Sequence, residues 1–181
     1  MTYSKSKIKY RYALIFLVFV FCLTSCLTTP NNDKADKNFE NEFIENIKQD
    51  NAKTFDFQHD VLTPQKSYFV DNKLKYLTFR HGPEVGFVEC RLTFDLSTGS
   101  IEKYTMRQVL PNYQKSGDER KVFDTIFVFY PKRHNSETYY ANKLIDTTFR
   151  QDMFNEQIPF INEVKSSTQK EFNSRQHGVL Q

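Results

Sequence analysis

Thiols, imidazoles and carboxylates are the side chains of this chain that could carry covalent, acid–base or metal chemistry. Spacing supports that chemistry at very few of them. The four histidines, His59, His81, His134 and His177, stand on separate segments, and none has another His or Cys within five residues. A zinc site built from neighbouring ligands therefore has no local support. His81 and Glu84 together supply at most half a site. Asp118 and Glu119 are adjacent, whereas glycoside hydrolysis needs two carboxyls separated across a sugar. No G-x-S-x-G, H-E-x-x-H, Gly-rich phosphate loop or C-x-x-C occurs, and the whole chain has only 5 glycines. Three cysteines remain, and their contexts differ. Cys22 lies inside an apolar run, Cys26 directly follows it, and Cys90 sits in an alternating segment.

The context of Cys26 carries the most information. Lys5, Lys7, Lys9 and Arg11 form a cationic start without acids, Ala13 to Leu23 is an unbroken apolar run of eleven residues, and Thr24 and Ser25 are small. A basic region, a short apolar core and a small-residue site describe a secretory signal peptide. Eleven residues fall well short of the about 20 that a membrane-crossing helix needs. Leu23-Thr24-Ser25-Cys26 resembles the lipobox of bacterial lipoproteins, and Phe21 makes Cys22 a poor competitor. The resemblance implies a diacylglycerol on the Cys26 thiol, cleavage between Ser25 and Cys26, and acylation of the new amino group. Each buried methylene contributes about 0.8 kcal/mol, so two or three acyl chains anchor durably where one does not. By the sorting rule of such lipoproteins, Leu27 in place of an Asp after the lipidated Cys implies the outer rather than the inner membrane of the cell envelope. The expected partners are thus the lipid bilayer, through Cys26, and an envelope protein.

Cleavage there leaves 156 of the 181 residues and removes four cations, which takes the formal charge from +3 to −1. The sequence pI of about 8.6 is accordingly no nucleic-acid footprint. Cys90 is then the one cysteine without lipid, which excludes an intramolecular disulfide, and it fits a small buried hydrophobe.

The remaining elements must supply the architecture. Leu27 to Asn38 is polar and aperiodic, as in a disordered tether. Phe39, Phe43, Ile44 and Ile47 make an apolar stripe on a helix over Phe39 to Asn51. From Ser67 the period becomes two. Ser67–Val70 and Leu74–Arg80 flank the turn Asp71-Asn72-Lys73. In Gly86 to Leu96, Val88, Cys90, Leu92 and Phe94 share one face and Glu89, Arg91 and Thr93 the other. Ser97-Thr98-Gly99 turns the chain into Ile101–Leu110. Val122 to Tyr130 is apolar on both faces, as in a strand covered on both sides. Pro131–Glu137 is a turn, Thr138–Ile145 a returning strand, and Pro159 to Phe172 a helix with Pro at its first position. These elements predict one α+β domain over residues 39–175: an N-terminal helix, an antiparallel meander of five to six strands and a C-terminal helix, with a frayed tail at 176–181. The pattern is loosely similar to cystatin-like and NTF2-like helix-on-curved-sheet domains.

Three functions compete on this evidence. The first is a non-catalytic, membrane-anchored binding, scaffold or immunity module of the cell envelope, without metal or cofactor. The second is a carrier of an apolar ligand, with Phe87, Phe123, Phe127 and Phe129 lining a sheet–helix pocket. The third, an envelope hydrolase, is disfavoured by the missing motifs. An up-and-down meander places the loops His81–Val85 and Pro111–Arg120 at one end of the sheet. His81, Glu84, Tyr113 and Arg120 are therefore the candidate partner-binding residues, since binding groups concentrate on loops held by a rigid scaffold.

Overall fold

A computed structural model of the chain describes residues 31–60, 62–82, 86–111 and 122–178. Helix α1 spans Asp33–Gln49. Strands β1 (Lys53–Phe55), β2 (Gln65–Val70), β3 (Lys73–His81), β4 (Phe87–Phe94), β5 (Ile101–Pro111), β6 (Val122–Tyr130), β7 (Asn135–Tyr140) and β8 (Lys143–Asp146) follow, and helix α2 (Gln151–Gly178) closes the domain. The strands form one eight-stranded antiparallel sheet in the order β1 to β8, a meander throughout.

The α+β class holds, but the count of five to six strands becomes eight. β1 has only three residues, too few for a period to show, and is recognised by its pairing with β2. The stretch read as one strand over Thr138–Ile145 is two strands joined at Ala141 and Asn142, both with positive φ (50° and 61°). Two successive left-handed residues make a tight hairpin turn that Asn tolerates and Ala does not favour.

The sheet has a helix on each face, and the alternation along each strand separates the two contacts. Cys90, Leu92, Tyr104, Met106, Phe127 and Phe129 face α2 and join Phe154, Ile161, Val164 and Phe172 in the main core. Each such fully buried side chain contributes about 1.5–3 kcal/mol. Phe172 stacks on Phe69 with centroids 3.8 Å apart. The opposite face carries Ile126 and Val128 against Ala35, with Phe39, Tyr130 and Tyr139 around them. β6 is thus buried on both sides, as its continuous apolar run requires. The analogy with helix-on-curved-sheet domains covers only one of the two faces.

Both helices start earlier than the sequence pattern indicates. α1 begins at Asp33, so Asp33 to Asn38, read as tether, are its first turns. α2 begins at Gln151 and carries Pro159 in its interior rather than at its first position. Phe154, seven residues before Ile161, packs with its ring centroid 5.5 Å from that of Phe129 and extends the helix upstream. α2 also continues to Gly178, so the first residues of the expected frayed tail are helical.

Candidate interaction surface

The face under α1 is held mainly by charge. The Arg91 guanidinium donates to Asp36 Oδ1 and to Glu89 Oε1, both at 2.6 Å. Arg107 donates to Asp36 Oδ2 (2.8 Å), to Asp33 Oδ1 (2.7 Å) and, with two nitrogens, to Asp124 (2.7 and 3.0 Å). Arg91, Arg107, Asp36 and Asp124 are 6%, 12%, 11% and 4% exposed. Burial alone would lower the Arg107 pKa, but its bonds to Asp124, Asp33 and Asp36 outweigh that and raise it, so the guanidinium stays charged. Charges this dry persist only when paired and hydrogen-bonded. In sequence, Glu89, Arg91 and Thr93 have the signature of a solvated strand face. No local signal marks them as buried, because their partners stand on α1.

The N-terminus of α1 is pinned at the same place. Asn32 is fully buried. Its N–H donates to Asp124 Oδ2 (2.8 Å), its Nδ2 to the carbonyls of Asp124 (2.7 Å) and Tyr139 (3.2 Å), and its Oδ1 accepts the Asn142 N–H (2.8 Å). From there α1 crosses the sheet obliquely. Phe39 packs edge-on against Tyr139 on β7, and Phe43 packs against Tyr76 on β3. Tyr76 donates its hydroxyl to Asp50 Oδ2 at 2.6 Å, just past the helix end.

This oblique path leaves part of β2–β4 uncovered and opens a groove of about 400 Å³. One wall is apolar, from Phe43, Ile44 and Ile47 of α1. The floor and far wall are polar and cationic, from Lys66, Tyr68, Thr78, Arg80, Glu89 and Arg91. Ile44 is 40% exposed there. The Arg80 guanidinium lies 3.9 Å from the centroid of the Phe87 ring, a cation–π contact that fixes it at the groove edge. An apolar wall with a few fixed charges, in the size range of ligand sites, can hold an apolar group beside an anionic one.

Of the sequence-derived candidates, Ser25, Cys26, Glu84, Tyr113 and Arg120 lie outside the described residues, as do Asp118 and Glu119. The strand ends that carry the two predicted loops do come together: Phe87 at the start of β4 pairs with Val109 near the end of β5, and Pro111 with Val122. His81 ends β3 on the α2 side, with its ring 5.9 Å from Phe79 and 5.6 Å from Phe160. Its Nε2 is buried without a hydrogen-bond partner among the described residues. Burial holds its pKa below the ordinary imidazole value. The His81 ring therefore packs against α2. The four phenylalanines of the expected apolar pocket do not converge. Phe127 and Phe129 are packed in the main core, Phe123 is 49% exposed, and Phe87 lies on the opposite face under Arg80. The alternation of β4 puts Phe87 on the face opposite Val88 and Cys90, whereas Phe123 shares the face of Phe127 and Phe129 but stands at the open end of β6.

One Ser–His–Glu arrangement occurs. His59 Nδ1 lies 2.8 Å from Ser167 Oγ, and Nε2 lies 3.4 Å from Glu163 Oε1. The Ser167 hydroxyl, however, donates to the Val164 carbonyl one turn back in α2 at 2.9 Å. Ser167 thus bridges His59 and the backbone of α2. The contact joins the segment before β2 to α2. Among the described residues, no group of three His, Cys, Asp or Glu side chains could hold a metal ion. No described helix is long and apolar enough to cross a membrane.

Compared with known proteins, the chain matches no family model, no curated protein and no solved structure.

Proposed function

We propose that this protein is a lipid-anchored module of the cell envelope that binds another envelope protein, taking a segment of it in the groove beside α1. The observation that carries the reading is the groove itself: an open apolar wall of Phe43, Ile44 and Ile47 facing Lys66 and Arg80. A partner segment that presents an apolar side chain to Ile44 and a carboxylate to Lys66 or Arg80 fits this chemistry. Support for the anchor comes from the resemblance of Leu23-Thr24-Ser25-Cys26 to a lipobox.

Affinity capture from detergent-solubilised envelopes, with the intact protein and its Ile44→Asp and Lys66→Glu variants as baits, tests the proposal. A partner recovered with the parent and lost with both variants supports it. Equal recovery with folded variants moves the site elsewhere. Cys26→Ala tests the anchor: the variant should lose fatty-acid labelling and leave the membrane fraction.

A further inference from the structure

We infer that the end of the sheet bearing Leu62, Phe123 and the Ala141–Asn142 turn rests against the bilayer. This rests on the acylation of Cys26 proposed above. Asn31 is tied to that end, since Asn142 Nδ2 donates to its carbonyl at 3.1 Å, and Asn32 is locked beside it. Five residue steps separate Cys26 from Asn31. Fully extended they reach about 18 Å, less than half the length of a tether running to Asn38. The domain therefore cannot stand off from the membrane or turn its far end towards it without a steep loss of freedom.

The surface composition agrees with that placement. The most exposed large hydrophobic residue described is Leu62, at 83%, and it lies just before β2, whose first residue pairs with Phe79 near the end of β3. Phe123, 49% exposed, opens β6 at the same end. Leu144, also 49% exposed, follows the Ala141–Asn142 turn by two residues. The exposed cations Lys34, Arg80 and Lys143 stand nearby, suited to phosphate headgroups. The opposite end is made by the turns Asp71–Asn72, Ser97–Gly99 and Pro131–Arg133, and no exposed large hydrophobic residue is found in them. An apolar rim flanked by cations, next to the point where a lipid-bearing chain enters, matches an interfacial contact.

The chain has no tryptophan, so single tryptophans report without background. Leu62→Trp, Phe123→Trp and Thr98→Trp, each in the full acylated protein, are reconstituted into phosphatidylethanolamine–phosphatidylglycerol vesicles containing brominated phospholipid. Mass spectrometry verifies the acyl chains on Cys26. The first two variants should show a blue shift and lose most of their emission to bromine quenching, while Thr98→Trp at the far end should keep its emission. Quenching equal at all three sites, or absent from the first two in acylated protein, overturns the orientation. The second outcome leaves the anchor standing and assigns the apolar rim to a protein contact. An unacylated Cys26 overturns the anchor and the orientation together.

Discussion

Asn142 caps a helix that begins more than a hundred residues earlier: its Oδ1 accepts the Ala35 N–H at 2.9 Å across a separation of 107 positions. Asn32, the residue at the helix N-cap, makes no cap bond of its own, because its side-chain acceptor Oδ1 takes the Asn142 N–H instead. The β7–β8 turn thus satisfies one of the free amides of α1 and in return is held in its left-handed conformation. Asn142→Ala should cost about 1–2 kcal/mol, from the lost cap and the positive φ together. Asn142→Gly keeps the backbone conformation and should cost less, and Asn142→Asp, which keeps the acceptor beside the positive helix end, least. Urea midpoints of the three variants check this order. Equal midpoints would show that the cap contributes nothing.

The Asp124–Arg107 pair is the second joint. Asp124→Ala removes two bonds from Arg107 and one from the Asn32 amide, leaving a buried cation with only Asp33 and Asp36. Loss of one partner of a buried pair costs about 3–5 kcal/mol. Urea unfolding measures it, and a loss below about 1 kcal/mol would mean that Arg107 re-pairs freely.

Because the contact under α1 is largely ionic and that under α2 largely apolar, the two helices should differ in local stability. Amides of α1 should exchange with solvent faster than those of the buried stretch Ile161–Phe172 of α2, and salt should widen the gap. Peptide-resolved hydrogen exchange reads this directly, and equal protection would contradict the ionic account.

Cys90 should be inert in the native protein. It is fully buried, and burial pushes its thiol up to about 12, against which the 3.3 Å contact with the Tyr104 hydroxyl acts only partly. The thiolate is the reactive form, so a thiol reagent at mildly alkaline pH should label Cys90 only in denaturant. Rapid native labelling, or a disulfide-linked dimer, would disprove this.

His81 predicts an acid sensitivity with a definite sign. Its folded pKa lies below the unfolded value of about 6.5, so the unfolded chain binds the extra proton. The contribution of His81 is complete above that value and declines as the pH falls through it. The melting temperature of the parent should therefore drop more on acidification than that of His81→Phe, whose ring suits the Phe79 and Phe160 surroundings. Parallel slopes would assign the acid sensitivity to other groups.

What the sequence determined by itself were properties of single segments. Alternation assigned Cys90 and Leu92 to one face of β4, the two-sided apolar run of β6 demanded cover on both faces, and successive hairpin signals implied a meander. The tertiary structure alone decided how charge is buried. Arg91 and Arg107 have the spacing of surface residues. They are dry because Asp36, 55 and 71 positions away, and Asp124 on the next strand reach them. The early start of α1, the Ala141–Asn142 turn and the groove beside Ile44 all follow from where that network holds the helix. A period is a property of neighbours in sequence and can be seen within ten residues. The cost of removing a charge from water is met only by partners that folding brings together, and no local pattern records them.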